Sequence, residues 1–185
     1  MNLRQLIETY RPYDEAEARD RELMLYALRH FPDVLTRENP ICHFTASNWI
    51  TNPGRDKILM VHHNIYNHWA WTGGHADGNP ELRAVALREA MEETGLQELR
   101  SLYDGIFSLQ CLCVDHHVKR GRFVASHLHL DCCYLWEASE TEALRAKADE
   151  NSGVRWVPID AVLETAGEPV MDIVYGKLNE KLRSL

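Results

Sequence analysis

The sequence predicts an α/β fold: a mixed sheet sandwiched between helices, with a helical extension at the N-terminus. Three observations carry that expectation. Leu3, Leu6, Ile7 and Tyr10 recur at helical spacing near the start, and residues 171–182 form an amphipathic run at the end. Residues 43–50 (HFTASNWI) and 57–62 (KILMVH) are rich in strand-forming side chains. A further helical stretch, stopped by Gly95, separates these strands from later ones.

Taken in order, residues 1–41 are expected to form the extension and residues 42–185 the main domain, within one globular unit. Pro12 ends the first helix. A second starts at Asp14, turns Leu23, Met24, Ala27, Leu28 and Phe31 inward, and stops before Pro32. Both read as packing or dimer contacts, not chemistry, and a homodimer is left open. The turn at 52–56 (NPGRD) makes a hairpin of the first two strands. Residues 101–114 read as one or two strands broken near Asp104 and Gly105, and 115–122 as a polar turn. Residues 123–137 read as one long strand on which His127, His129 and Asp131 share a face. A short helix is expected early in 139–151, then a loop, a final strand at 154–157 and a short helix opened by Pro158. No internal repeat, low-complexity tract or linker interrupts the pattern.

A chain of 185 residues is long enough for one substantial core. Its formal charge of −8 argues against a nucleic-acid backbone or an anionic membrane as principal partner. There is no apolar run of spanning length and no signal-peptide pattern in the first residues, so a cytoplasmic location is expected. Cys42, Cys111, Cys113, Cys132 and Cys133 have no zinc spacing and read as small buried apolar residues in a reducing compartment.

The chemistry concentrates in residues 73–96, GGHADGNPELRAVALREAMEETGL. Asn79 suits an N-cap, Pro80 the first helical position and Gly95 the stop, which places a helix over 80–94. Helical geometry then puts Glu89, Glu92 and Glu93 on one face, with Ala84, Leu87, Met91 and Thr94 as the core stripe opposite. Leu82, Val85, Ala86 and Ala90 flank the acidic face. Three like charges one turn apart repel, and a divalent cation such as Mg²⁺ or Mn²⁺ relieves the conflict. A solvated Glu-rich face supported by Arg83 and Arg88 is the plainer reading of the spacing alone. The Gly-Gly turn before the helix and Glu-Glu-Thr-Gly at its end weigh against it.

The stretch resembles the Nudix box, G-x5-E-x7-R-E-U-x-E-E-x-G-U with U apolar. Gly74, Arg88, Glu89, Ala90, Glu92, Glu93, Gly95 and Leu96 fit in register, while Pro80 stands where the family has its first Glu. Asp77 or Glu81 is expected to take over that residue's supporting role by pairing with Arg88. Looser matches at Trp69 and at 150–158 extend the resemblance over about 43–165. It implies a Nudix-like α/β/α sandwich and hydrolysis of a phosphoanhydride in a nucleoside diphosphate linked to another moiety, by metal-activated water. It further implies Mg²⁺ (or Mn²⁺) on Glu89, Glu92, Glu93 and the Gly74 carbonyl, with Arg88 bracing loop and helix. Glu150, in a later loop, is the candidate base or outer metal ligand.

The substrate implied is a small nucleotide-type molecule, with no nucleic-acid or membrane partner. His127 and His129, on a strand of the kind that lines the cleft, and His75, beside the glycine pair, are the candidate substrate-binding residues. His62 and His63 are further candidates for metal or phosphate. Trp49, Tyr66, Trp69, Trp71 and Trp136 offer surfaces that could stack a base. Two other classes compete. A ligand-binding module without hydrolysis usually loses box carboxylates, and all three survive here. An isopentenyl diphosphate isomerase needs a cysteine motif that this chain does not carry. No signature chooses among coenzyme A, dinucleoside polyphosphates, ADP-ribose and oxidised nucleotides.

Overall fold

The computed structural model describes residues 1–64, 67–119 and 121–185. At its centre is β1 (Cys42–Thr51), buried along its whole length. It runs parallel to β9 (His127–Glu137), from Cys42 opposite Leu128 to Thr51 opposite Glu137. It pairs antiparallel with β2 (Lys57–His63) and β4 (Thr72–His75). Beyond β2 lie β10 (Asn151–Pro158) and the short β3 (Trp69–Ala70), and β9 is flanked by β5 (Arg100–Ser101) and β6 (Ser108–Val114). One parallel pair among antiparallel ones makes the sheet mixed. A separate hairpin joins β7 (His117–Lys119) to β8 (Arg122–Val124).

Alternation along β1 divides the core in two. Phe44, Ala46 and Ile50 pack with α1 (Leu3–Thr9), α2 (Glu15–His30) and α3 (Leu82–Thr94). Trp49 faces the other way, stacked on Tyr175 at 5.3 Å, among side chains of α4 (Val162–Ala166) and α5 (Pro169–Arg183). The result is the expected α/β/α sandwich. No described helix is long and apolar enough to cross a membrane.

The second and last helices, α2 and α5, meet at a buried charge. Asp14 caps α2 by accepting from the Glu17 N–H at 2.7 Å, which turns the wholly buried Glu17 inward. Its carboxylate accepts from the Tyr10 hydroxyl (2.6 Å), the Tyr13 N–H (2.8 Å), the Ser108 hydroxyl (2.7 Å) and Lys181 Nζ (2.9 Å), with Lys177 Nζ at 3.1 Å. Burial works against the charge, but Lys177 and these hydrogen bonds outweigh it and hold the carboxyl down at about 2.

Several local expectations are corrected. Helix α3 starts at Leu82, because Asn79 accepts from the Glu81 N–H at 2.9 Å in a turn of its own and does not cap the helix. Gly95 does stop it, at φ 79°. The buried stripe is Leu82, Val85, Ala86, Ala90, Glu93 and Thr94, while Ala84 is exposed and Leu87 and Met91 are half-buried. Alanines on the inner side let the helix approach β1 closely enough for Asn48 Nδ2 to donate to the Ala86 carbonyl at 2.9 Å. Within the expected polar turn at 115–122, residues 117–119 and 122 belong to the strands β7 and β8 while Arg120 lies outside the described residues, and the long strand is broken at Ala125 and Ser126. The Ser126 hydroxyl there accepts from the His116 N–H at 3.0 Å. Residues 139–150 contain turns and no helix.

Candidate active site

The C-terminal half of α3 carries the carboxylates to the edge of β4. Glu93 is 5% exposed. Its Oε1 accepts from the Gly73 N–H at 2.9 Å and its Oε2 from Asn151 Nδ2 at 2.8 Å. Position 73 has no room for a side chain, since a Cβ would lie 2.7 Å from the Ala46 carbonyl oxygen and 2.9 Å from Ser47 Cα. Burial raises the Glu93 carboxyl to about 7; the two hydrogen bonds oppose it only in part, and Glu89 and Glu150 push the same way.

Glu89 lies against Gly74, where a Cβ would meet the Glu89 Cδ at 2.5 Å. Burial raises its carboxyl as well, with Arg88 Nη2, 2.8 Å from Oε1, pulling the other way. Glu92 is more open, 3.3 Å from Arg88 Nη1 and 3.6 Å from Lys147 Nζ. The same lysine lies 3.0 Å from Glu150, whose backbone carbonyl accepts from the Asn64 N–H at 2.9 Å. Two inner carboxylates are thus packed against the glycine turn, and two outer ones share a lysine.

Arg88 pairs with Glu89 and Glu92, and so does not take Asp77 or Glu81 as its partner. Asp77, at φ 46°, turns instead to Arg37 and accepts two hydrogen bonds of 2.7 Å each. The loop that has Pro80 in place of a Glu is therefore tied to the segment before β1, and Arg88 is left to clamp the helix carboxylates.

The donor set suits a hard divalent cation. Glu93 is a buried carboxylate whose close partners are a backbone N–H and an amide, with no cationic group among the described residues in an ion pair with it. Glu89 beside it is similarly desolvated. Oxygen donors of this kind are the ligands that Mg²⁺ and Mn²⁺ take. Glu92 would join them by exchanging Lys147, and Glu150, freed from the same lysine, would stand as a base or an outer ligand.

His75 follows Gly74 on β4, and parallel pairing sets His43 of β1 opposite His129 of β9. His127 completes the group, its ring centroid 4.8 Å from that of His43. These four imidazoles line a cavity of about 290 Å³ with Arg37 and Phe123 on its walls. Burial and the surrounding imidazoles push His129 down to about 2, so it is neutral. His62 and His63 lie elsewhere, on β2 against β10. Trp49 and Trp136 are core, Trp71 packs edge-on against Tyr175, and half-buried Trp69 is covered by Arg155 at 4.1 Å. Tyr66 lies outside the described residues. His43, Arg37, Lys147 and Asn151 complete these two clusters without having been singled out from the sequence.

The model of the NUDIX domain matches residues 43–178. The chain belongs to the Nudix family. It is a Nudix-type pyrophosphohydrolase by class, and solved Nudix structures share its fold. A Nudix hydrolase from M. smegmatis, RenU, superposes with a TM-score of 0.58 at 19% identity, over 77% of this chain and 87% of that one. A NUDIX-family hydrolase from Clostridium perfringens gives 0.54 at 21%, over 76% and 96%. A C. elegans Ap4A hydrolase in a binary complex gives 0.52 at 16%, over 76% and 95%. At these identities the likeness establishes the fold alone. No curated protein matches the sequence.

Proposed function

We propose that this Nudix protein hydrolyses a phosphoanhydride bond in a nucleoside diphosphate linked to another moiety, with a divalent cation, Mg²⁺ or Mn²⁺, held by Glu89, Glu92, Glu93 and the Gly74 carbonyl. The observation that carries this is Glu93: a buried carboxylate raised to about 7, braced by Gly73 and Asn151 and flanked by Glu89. A cation bound there supplies neutralisation of phosphate charge and a lowered water pKa. The chain's own groups do the rest. Arg88 holds Glu89 and Glu92 in one orientation, and Gly73 and Asn151 fix both oxygens of Glu93. Glu150, released from Lys147, takes the proton of the attacking water as general base. The cavity of His75, His127 and His129 receives one group of a small nucleotide-type substrate. Residues 42–185 form the hydrolase domain, and residues 1–41 an extension fastened to it through Glu17.

The test is a phosphate-release screen over nucleoside diphosphate derivatives with Mg²⁺, with Mn²⁺ and with chelator. Metal-dependent turnover of a substrate is expected, lost in Glu93→Gln and reduced in kcat by about 10²–10⁴-fold in Glu150→Gln. Tight binding of a nucleotide without turnover would replace the hydrolase by a ligand-binding module.

A further inference from the structure

A second set of ligating side chains stands apart from the carboxylates. His43, His75 and His129 come from β1, β4 and β9, and one ring atom of each lies within 4.8 Å of those of the other two. Strand register brings them together. His43 is opposite His129, and His75 is opposite Thr45, two residues along β1 and therefore on the same face. The three rings form a nearly equilateral triangle, with centroids 5.1 Å apart for His43 and His75, 5.0 Å for His43 and His129, and 4.9 Å for His75 and His129.

His43 is 4% exposed, its Nδ1 faces the Asn39 carbonyl at 3.5 Å, and its Nε2 is buried with no hydrogen-bond partner. A buried polar atom left unmatched destabilises the fold, and a ligand on that nitrogen would offset the loss. An anion is held most strongly by protonated imidazoles, whose two N–H groups both donate. Burial and the neighbouring rings keep both His43 and His129 below their ordinary value, so they present lone pairs instead. Arg37, the cation of this cavity, is already committed to Asp77.

Neutral imidazole is a ligand for borderline transition metals, whereas Mg²⁺ prefers oxygen. Zinc–nitrogen bonds of about 2.0–2.1 Å set ligand nitrogens roughly 3.3 Å apart in a tetrahedron, so the three rings need to close by at most about 1.5 Å. Supporting contacts are in place. His127 holds the Ala125 carbonyl with Nδ1 at 2.8 Å and steadies His129 through an Nε2–Nε2 contact of 3.3 Å.

We propose that His43, His75 and His129 bind a divalent transition-metal ion, Zn²⁺ by preference, at a site chemically distinct from the carboxylates, with its fourth position open to the cavity. The site does not depend on the hydrolase reading. It shares His75, one residue beyond Gly74, and His129 with the cavity proposed to receive a substrate group.

The 185-residue protein is stripped with chelator, equilibrated with Zn²⁺ under excess Mg²⁺, and assayed for bound zinc after gel filtration; Co²⁺ is loaded in parallel. One equivalent of zinc that Mg²⁺ does not displace is expected, with the strong visible absorption of four-coordinate Co²⁺. His129→Gln should weaken zinc binding by more than the ~10–100-fold that a lost supporting hydrogen bond costs, and Glu93→Gln should leave it unchanged. Because His129 is largely buried, thermal melting checks that variant, and half-buried His75→Gln serves as the second. Absence of retained zinc, retention undiminished in His129→Gln and His75→Gln, or loss in Glu93→Gln would each overturn the proposal. Turnover is not the readout, so failure of the hydrolase reading would leave this result standing.

Discussion

Glu93→Gln should abolish turnover and yet make the metal-free protein more stable at alkaline pH. Burial, chiefly, lifts the wild-type carboxyl from its ordinary 4.5 to about 7, so the folded state binds that proton more tightly than the unfolded chain does. The favourable contribution is fully present below 4.5 and disappears as pH rises through 7. Above that, an ionised Glu93 costs the fold about 3 kcal/mol relative to an unperturbed carboxyl. Glutamine carries no charge to desolvate. Its Oε1 can keep the Gly73 N–H, and its amide needs an acceptor where Asn151 Nδ2 now donates. Asn151 can supply one by turning its amide, because its Oδ1 is buried without a partner. If that exchange is imperfect it costs about 1 kcal/mol, which leaves a net gain of about 2–3 kcal/mol. At roughly 2–4 °C per kcal/mol for a domain of this size, melting should rise by about 4–12 °C. The assay is thermal unfolding of both proteins in chelator, at about pH 5 and about pH 8.5, on either side of the titration. The gain should appear at the higher pH and largely vanish at the lower. Equal melting at both values would refute the argument that burial strains this carboxylate.

Three further outcomes follow from the packing. Gly74→Ala drives a Cβ into the Glu89 carboxylate, which would sit 2.5 Å away; activity should fall by at least about tenfold with the fold intact, as a ~1 Å displacement of a reacting group costs that much or more, read as kcat beside circular dichroism. Asn151→Ala removes a hydrogen bond that lowers the Glu93 pKa, so the acid limb of kcat/KM should move to higher pH, and an unchanged profile would exclude Glu93 as its origin. Glu17→Gln leaves Lys177 and Lys181 buried without their counter-charge and should cost about 3–5 kcal/mol in denaturant unfolding at neutral pH. The wild-type advantage should fade in acid as pH drops from 4.5 towards 2, the folded value for Glu17.

Punctuation made the helix and its carboxylates legible: a glycine stop and residues spaced one turn apart are local facts. The side of that helix that packs inward was not legible, because alanine fits both a buried and an exposed position. Ala84 and Ala90 are identical in sequence and opposite in burial. Alternation correctly put His127 and His129 on one face, but their association with His43 depends on parallel pairing between β1 and β9. Thr45 and Asp131 in that ladder are 86 residues apart, and no local pattern encodes such a partnership. Asn151 and Lys147 are polar residues in or beside a loop, and only tertiary structure distinguishes them from solvated neighbours. The expected Arg88 partner failed for a related reason. Asp77 had a competing cation in Arg37, which lies 40 positions away and approaches only when β1 is in place.

The Glu17 clasp also bears on how the chain matures. Lys181 is 164 residues from Glu17, so during synthesis the carboxylate exists long before its counter-charges do. A nascent chain halted before residue 177 would have to leave Glu17 in water, and with it the inner face of α2, or bury an unmatched anion. Such chains should stay protease-sensitive until the last helix is available, and early protection would show that the sheet closes without it. The final helix would then act as the latch that decides when the enzyme is finished.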